Sequence, residues 1–114
     1  MRNLYKEVYA STGKVPKRDK LGIFSEIEKT ILRTFSLIIE AVYKTKPTKK
    51  PILEETRIQI EIIKQLIRTA YDIHSLEERN YLRFAKMLQE ISKMTNGWIK
   101  YLDAQRETQN PPIK

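Results

Sequence analysis

The sequence predicts an all-α fold, an antiparallel up-down bundle of four helices. Three observations predict it: apolar residues recur with a period of 3.6 and not 2, only 3 glycines and 5 prolines interrupt 114 residues, and the connections they leave are short. A chain of this length forms one domain with a real core, placed here over residues 1–102. No internal repeat is present.

The first helix spans roughly residues 2–12, where Leu4, Tyr5, Val8 and Tyr9 share a face and Gly13 is a plausible terminator. A basic connector, Lys14 to Asp19, follows. The second helix runs from about Arg18 to Thr45, with an apolar stripe of Phe24, Ile27, Ile31, Phe35, Ile38 and Val42. Leu32, Ile39 and Tyr43 widen that stripe on one flank, beyond what packing inside one small bundle requires. Lys46 to Ile52 reads as a loop by its two prolines, with Pro51 at the first turn of the next helix and Glu54 and Glu55 at its positive dipole end.

The third helix continues to about Ile73, with Leu53, Thr56, Ile60, Ile63, Ile67 and Ala70 inward. The alternation Ile58-x-Ile60-x-Ile62 is too brief to make a strand against a helical stripe of that length, yet it leaves Ile58 and Ile62 opposite the core. Asp72 to His74 is a turn, and Ser75-x-x-Glu78 is a capping box opening the fourth helix. That helix, 75–102, puts Tyr81, Phe84, Ala85, Leu88, Ile91, Thr95, Ile99 and Leu102 on one side. Opposite them stand Arg79, Arg83, Lys86, Glu90, Lys93, Gly97 and Lys100. Residues 103–114 lose the periodicity and are expected to form a flexible tail.

Charge and missing chemistry narrow the function classes. The 22 Lys+Arg against 14 Asp+Glu leave a net +8. Residues 1–20 carry net +4 and residues 44–50 another +4, so the rest of the chain is neutral and its basic faces arise by segregation. Such a balance suits a polyanionic partner. Cysteine is absent, which removes disulfides and thiolate metal sites and fits a reducing cytoplasm. No apolar run reaches the roughly 20 residues that span a bilayer. His74 has neither a nucleophile nor a metal-ligand spacing beside it, and no glycine-rich phosphate loop exists. A non-enzyme, cytoplasmic and without cofactor or metal, is the expectation.

Two features of the fourth helix point to partners. Its cations form either a solvated face or a surface for phosphates and carboxylates, where Arg79 and Arg83 can bind bidentately. Aromatic platforms are not interleaved with them, so backbone or shape recognition is expected there and not base readout. Met87, Met94 and Tyr101, spaced by seven, with Trp98 beside them, make either a widened core or a subunit interface of soft anchors. With Ile58 and Ile62, they would leave a lone monomer with a large apolar patch.

These same residues carry a likeness. The Val15-Pro16-Lys17 connector, Leu21-Gly22 opening a long helix that ends Ile39-Glu-Ala-Val-Tyr43, and the closing Met94-Thr-Asn-Gly97-Trp98-Ile-Lys100 resemble the Avd proteins. These are the accessory variability determinants of diversity-generating retroelements, and the likeness covers roughly residues 2–102. The related four-helix proteins of ribosomal RNA intervening sequences carry a Ser-Asn-Ile-Ala-Glu-Gly-like segment that is missing here.

The resemblance implies a homopentameric barrel that binds a reverse transcriptase and its template RNA and supports mutagenic cDNA synthesis and retrohoming. The expected partner surface is Arg79, Arg83, Lys86, Lys93 and Lys100, supported by Arg57, Lys64, Arg68, Lys14, Lys17, Arg18 and Lys20. The expected subunit interface is Met87, Met94, Trp98, Tyr101, Ile58 and Ile62. The alternative is a helical protein–protein adaptor or structural oligomer with no nucleic-acid role. Gly97 has a rationale of its own, because a mid-helix glycine costs about 1 kcal/mol and is tolerated where a backbone must approach a neighbour.

Overall fold

A computed structural model of the chain describes residues 1–109 and is all-helical over them. The helices are α1 (Arg2–Ser11), α2 (Lys17–Leu21), α3 (Ile23–Tyr43), α4 (Lys46–Asp72) and α5 (Glu78–Gln109), with one 3-10 turn, Thr12–Lys14. The α3, α4 and α5 helices lie side by side, with α4 packed against both others. Side-chain pairs set their antiparallel register: Arg33 with Glu55 joins α3 to α4, while Lys50–Asp103 and the Tyr71–Tyr81 ring pair join the two ends of α4 to α5. The short α1 packs against α3 and α5, across the core from α4.

The difference in helix length shapes the whole molecule. At 1.5 Å per residue, α1 covers about 15 Å of a bundle whose longest helix runs about 48 Å, within overall dimensions of 63 × 22 × 18 Å. Where α1 is present, one large core forms from Leu4, Val8, Phe24, Ile27, Ile31, Ile60, Ile63, Ile67, Phe84 and Leu88, all nearly inaccessible to solvent. Beyond the end of α1, the buried cluster shrinks to Ala41, Leu53, Ile99 and Leu102, with Ile52 and Trp98 partly buried against it.

The stripes expected for the third and fourth helices hold. All six inward residues of α4 are buried, and on α5 Phe84, Leu88, Thr95, Ile99 and Leu102 are buried with Tyr81, Ala85 and Ile91 half-buried. The stripe of α3 holds only as far as Ile31. Beyond it, Thr34 and Ala41 are buried while Phe35 and Ile38 are half-buried and Val42 is 54% exposed. Past the end of α1 the neighbour on that side is missing, so burial rotates toward α4, where small side chains admit close approach.

Boundaries differ from expectation in four places, each with a local cause. The second helix is broken at Gly22 (φ −94°, ψ −107°), where a β-carbon would stand 3.1 Å from the Arg18 carbonyl oxygen, so α2 and α3 are separate helices. The third helix starts at Lys46, with Pro47 in its first turn and Pro51 inside it. The two Thr48 contacts with the Thr45 hydroxyl and carbonyl tie that early turn.

The capping box does not form. The Ser75 hydroxyl instead donates to Asp19 at 2.5 Å, which fastens the α1–α3 connector to the α4–α5 turn, and α5 begins at Glu78. Finally, α5 continues past Leu102 to Gln109, supported by Lys50–Asp103 at 2.8 Å and a Gln105-to-Tyr101 side-chain hydrogen bond. Residues 110–114 of the expected tail lie outside the described residues.

The turn after α4 explains the lone histidine. Ser75 N–H bonds the Ala70 carbonyl and His74 N–H the Tyr71 carbonyl, the pairing of a Schellman motif, with His74 in the left-handed region at φ 63°. Glycine takes this conformation without the β-carbon penalty. His74→Gly is therefore expected to raise the unfolding free energy by about 0.5–1 kcal/mol, measured as a higher melting temperature by circular dichroism. A lower one would mean that the imidazole makes a stabilising contact. Gly13, the expected terminator of α1, has no positive φ, and the Ser11 and Thr12 hydroxyls bond the Val8 and Tyr9 carbonyls there instead.

Candidate interaction surfaces

The cations separate by their partners. Arg79, Lys86, Lys93 and Lys100 stand at seven-residue spacing on the outer face of α5, so each lies about 10.5 Å beyond the last. All four are exposed, and among the described residues none has an acidic group within salt-bridge distance. Arg83, on the flank of this column, is different: it pairs with Glu7 of α1. That contact spans two helices and makes Arg83 part of what holds α1 down.

On α4, each expected cation is matched along its own helix. Arg57 pairs with Glu54, Lys64 with Glu61 at 3.0 Å, and Arg68 with Asp72 at 3.1 Å. Exposed pairs of this kind add little stability, but they cancel much of the field that a polyanion would feel. Arg68 also sits 5.8 Å from the centroids of Tyr71 and Tyr81, two rings stacked 4.5 Å apart. The Tyr81 hydroxyl and the Asp72 carboxylate together hold the Arg68 guanidinium pKa above its ordinary value. This cluster is a clamp between the last turns of α4 and the first of α5.

In the connector, Lys17, Arg18 and Lys20 are exposed, and Arg18 lies 3.6 Å from Asp19. The Lys14 side chain lies outside the described residues. Three acids, Glu7, Glu77 and Glu78, line a cleft of 680 Å³ at this same end of the bundle, so the connector's charge is partly offset at that pole.

The apolar residues fall into two surfaces. Met87 is partly buried against the large core, but Met94 and Tyr101, on the same side of α5 past the reach of α1, are 75% and 58% exposed. Trp98 is half-buried with Lys49 over its ring at 5.8 Å. Val42 stands on α3 five helical turns beyond Phe24, on the same face, and the three exposed side chains belong to the side that α1 leaves uncovered. A β-carbon on Gly97, between Met94 and Tyr101, would meet nothing within 4 Å. No neighbour inside the protomer requires that glycine.

The second surface is the outer face of α4. Ile58 and Ile62 are 54% and 40% exposed and, with Arg57, Glu61, Gln65, Leu66 and Thr69, line a shallow depression of 520 Å³. Because α4 lies across the core from α1, the two apolar surfaces are on opposite sides of the bundle.

A family model described as bAvd-like matches residues 1–102. The chain belongs to the bAvd-like family. This bears out the resemblance read from the connector, the Leu21-Gly22 step and the Gly97-Trp98-x-Lys100 ending. No curated protein and no solved structure matches the chain. Among the described residues of this bAvd-like protein, no helix is long and apolar enough to cross a membrane, and no group of three or more His, Cys, Asp or Glu is arranged to hold a metal ion.

Proposed function

We propose that this bAvd-like protein is a non-catalytic accessory subunit of a diversity-generating retroelement, assembled as a homopentamer. It binds the element's reverse transcriptase and template RNA and supports mutagenic cDNA synthesis and retrohoming. The observation that carries this reading is the column of Arg79, Lys86, Lys93 and Lys100, four exposed cations without acidic partners on one face of the longest helix. Desolvating a cation that is already paired gains little, whereas an unpaired one can exchange counterions for phosphates. Two unlike apolar surfaces on opposite sides of the protomer support a head-to-tail contact, the kind that closes rings.

Reversing all four cations to glutamate is expected to lower association with a reverse transcriptase–RNA complex by more than about 100-fold. Helicity should stay as it is, because all four side chains are exposed. Pull-down with tagged reverse transcriptase and its RNA measures this, and unchanged capture would remove the assignment of the face. A protein adaptor is the second reading, favoured by the α4 depression around Ile58 and Ile62. It predicts that the quadruple variant keeps its partner and that RNA affinity at physiological salt is negligible.

A further inference from the structure

The outer face of α1 combines what the α5 column lacks. Arg2, Tyr5, Lys6 and Tyr9 fall on one side of this helix, each cation three residues before a tyrosine and so its neighbour on the surface. Tyr5 is half-buried against the large core, which fixes its ring. Tyr9 stacks on it, centroids 6.2 Å apart and planes 28° from parallel, yet remains 63% exposed. Arg2 and Lys6 are exposed and, among the described residues, have no acidic partner, while the helix's one acid, Glu7, is turned to Arg83. An aromatic ring held flat by a core-anchored neighbour, open on its other face and flanked by free cations, is the arrangement on which unpaired bases stack while their phosphates are neutralised. A duplex offers no such face, since its bases are already stacked on each other.

We infer that Tyr9, backed by Tyr5 and flanked by Arg2 and Lys6, is a stacking site for a base of single-stranded nucleic acid, separate from the phosphate-binding column of α5. The inference rests on reading the protein as a polyanion binder and adds to it a preference for unpaired strands. It is specific to the α1 face, because the cations of α5 have no aromatic group interleaved with them.

Fluorescence anisotropy with the full chain tests it, using a labelled single-stranded RNA of about 12 nucleotides and an abasic strand of the same length. Tyr9→Ala should weaken binding of the RNA roughly tenfold and leave the abasic strand unaffected, with the slope against log salt unchanged. Tyr9→Phe should bind like the native protein. Arg2→Ala with Lys6→Ala should weaken both strands alike and flatten the salt slope. Equal binding of RNA by the native protein and Tyr9→Ala, or an equal loss on both strands, overturns the stacking site and leaves the α5 column standing. No binding of either strand by the native protein overturns the site together with the RNA half of the proposed function.

Discussion

Replacing Ile58 and Ile62 together by aspartate is expected to reduce the proposed assembly of about five protomers to a single chain in solution. Both residues are about half exposed on the outer face of α4, so the substitution costs the isolated protomer little. In an interface, each carboxylate would have to be buried without a partner, at a cost of several kcal/mol per charge. That exceeds what a few aliphatic contacts supply. The opposite surface gives a second route to the same result: Met94→Asp with Tyr101→Asp should also yield a monomer, because a head-to-tail contact needs both unlike faces. A two-fold contact would use one face alone, and only one pair of substitutions would then dissociate it. Light scattering at several concentrations and two salt strengths reads the mass directly. A native protein that is already monomeric would remove the ring and move the adaptor reading to first place.

Phe84→Ala is expected to destabilise the fold by about 3–5 kcal/mol, lowering the melting temperature by more than about 10 °C in a domain of this size. Phe84 is 2% exposed and belongs to the core that α1, α3, α4 and α5 build together. Its neighbours in that core sit on four packed helices, so the cavity cannot readily collapse. Leu102→Ala makes the comparison. Leu102 is 9% exposed in the small cluster beyond the end of α1, where the surroundings can relax, and its loss should fall at the low end of the range for buried aliphatics, about 2 kcal/mol. Equal losses at the two positions, by thermal or urea unfolding, would mean that the far half of the bundle is as firmly packed as the near half.

The core residues of α4 and α5 could be read from periodicity because each of these helices keeps the same neighbours for most of its length. The later part of the α3 stripe could not. Val42 and Phe24 occupy the same helical face, and only the end of α1 makes one half exposed and the other buried. Ser75 shows the same limit at shorter range. Its spacing to Glu78 suits a local cap, but Asp19, distant in sequence, is close enough in space to take the hydroxyl.

The candidate surfaces divide in the same manner. The seven-residue column of Arg79, Lys86, Lys93 and Lys100 follows from spacing alone. That Arg83 leaves it for Glu7 depends on a neighbouring helix that no spacing encodes, whereas the partners of Arg57, Lys64 and Arg68 lie three or four residues away on α4 and follow from spacing on one helix. The tyrosine pair of α1 was legible only as an apolar face, since exposure of Tyr9 depends on how far α1 sinks between α3 and α5.

The sequence by itself determined the helical class, the inward residues of the longest helices, the segregation of charge and the membership of the bAvd-like family. These are set by local periodicity and by residue type, which survive any arrangement of the helices. The tertiary structure alone decided that Arg83 pairs across to α1 and which apolar residues have no neighbour. The partner of Arg83 and the exposure of Val42, Met94 and Tyr101 both follow from a length mismatch: α1, about 15 Å long, covers one end of a bundle more than twice as long and leaves the other open.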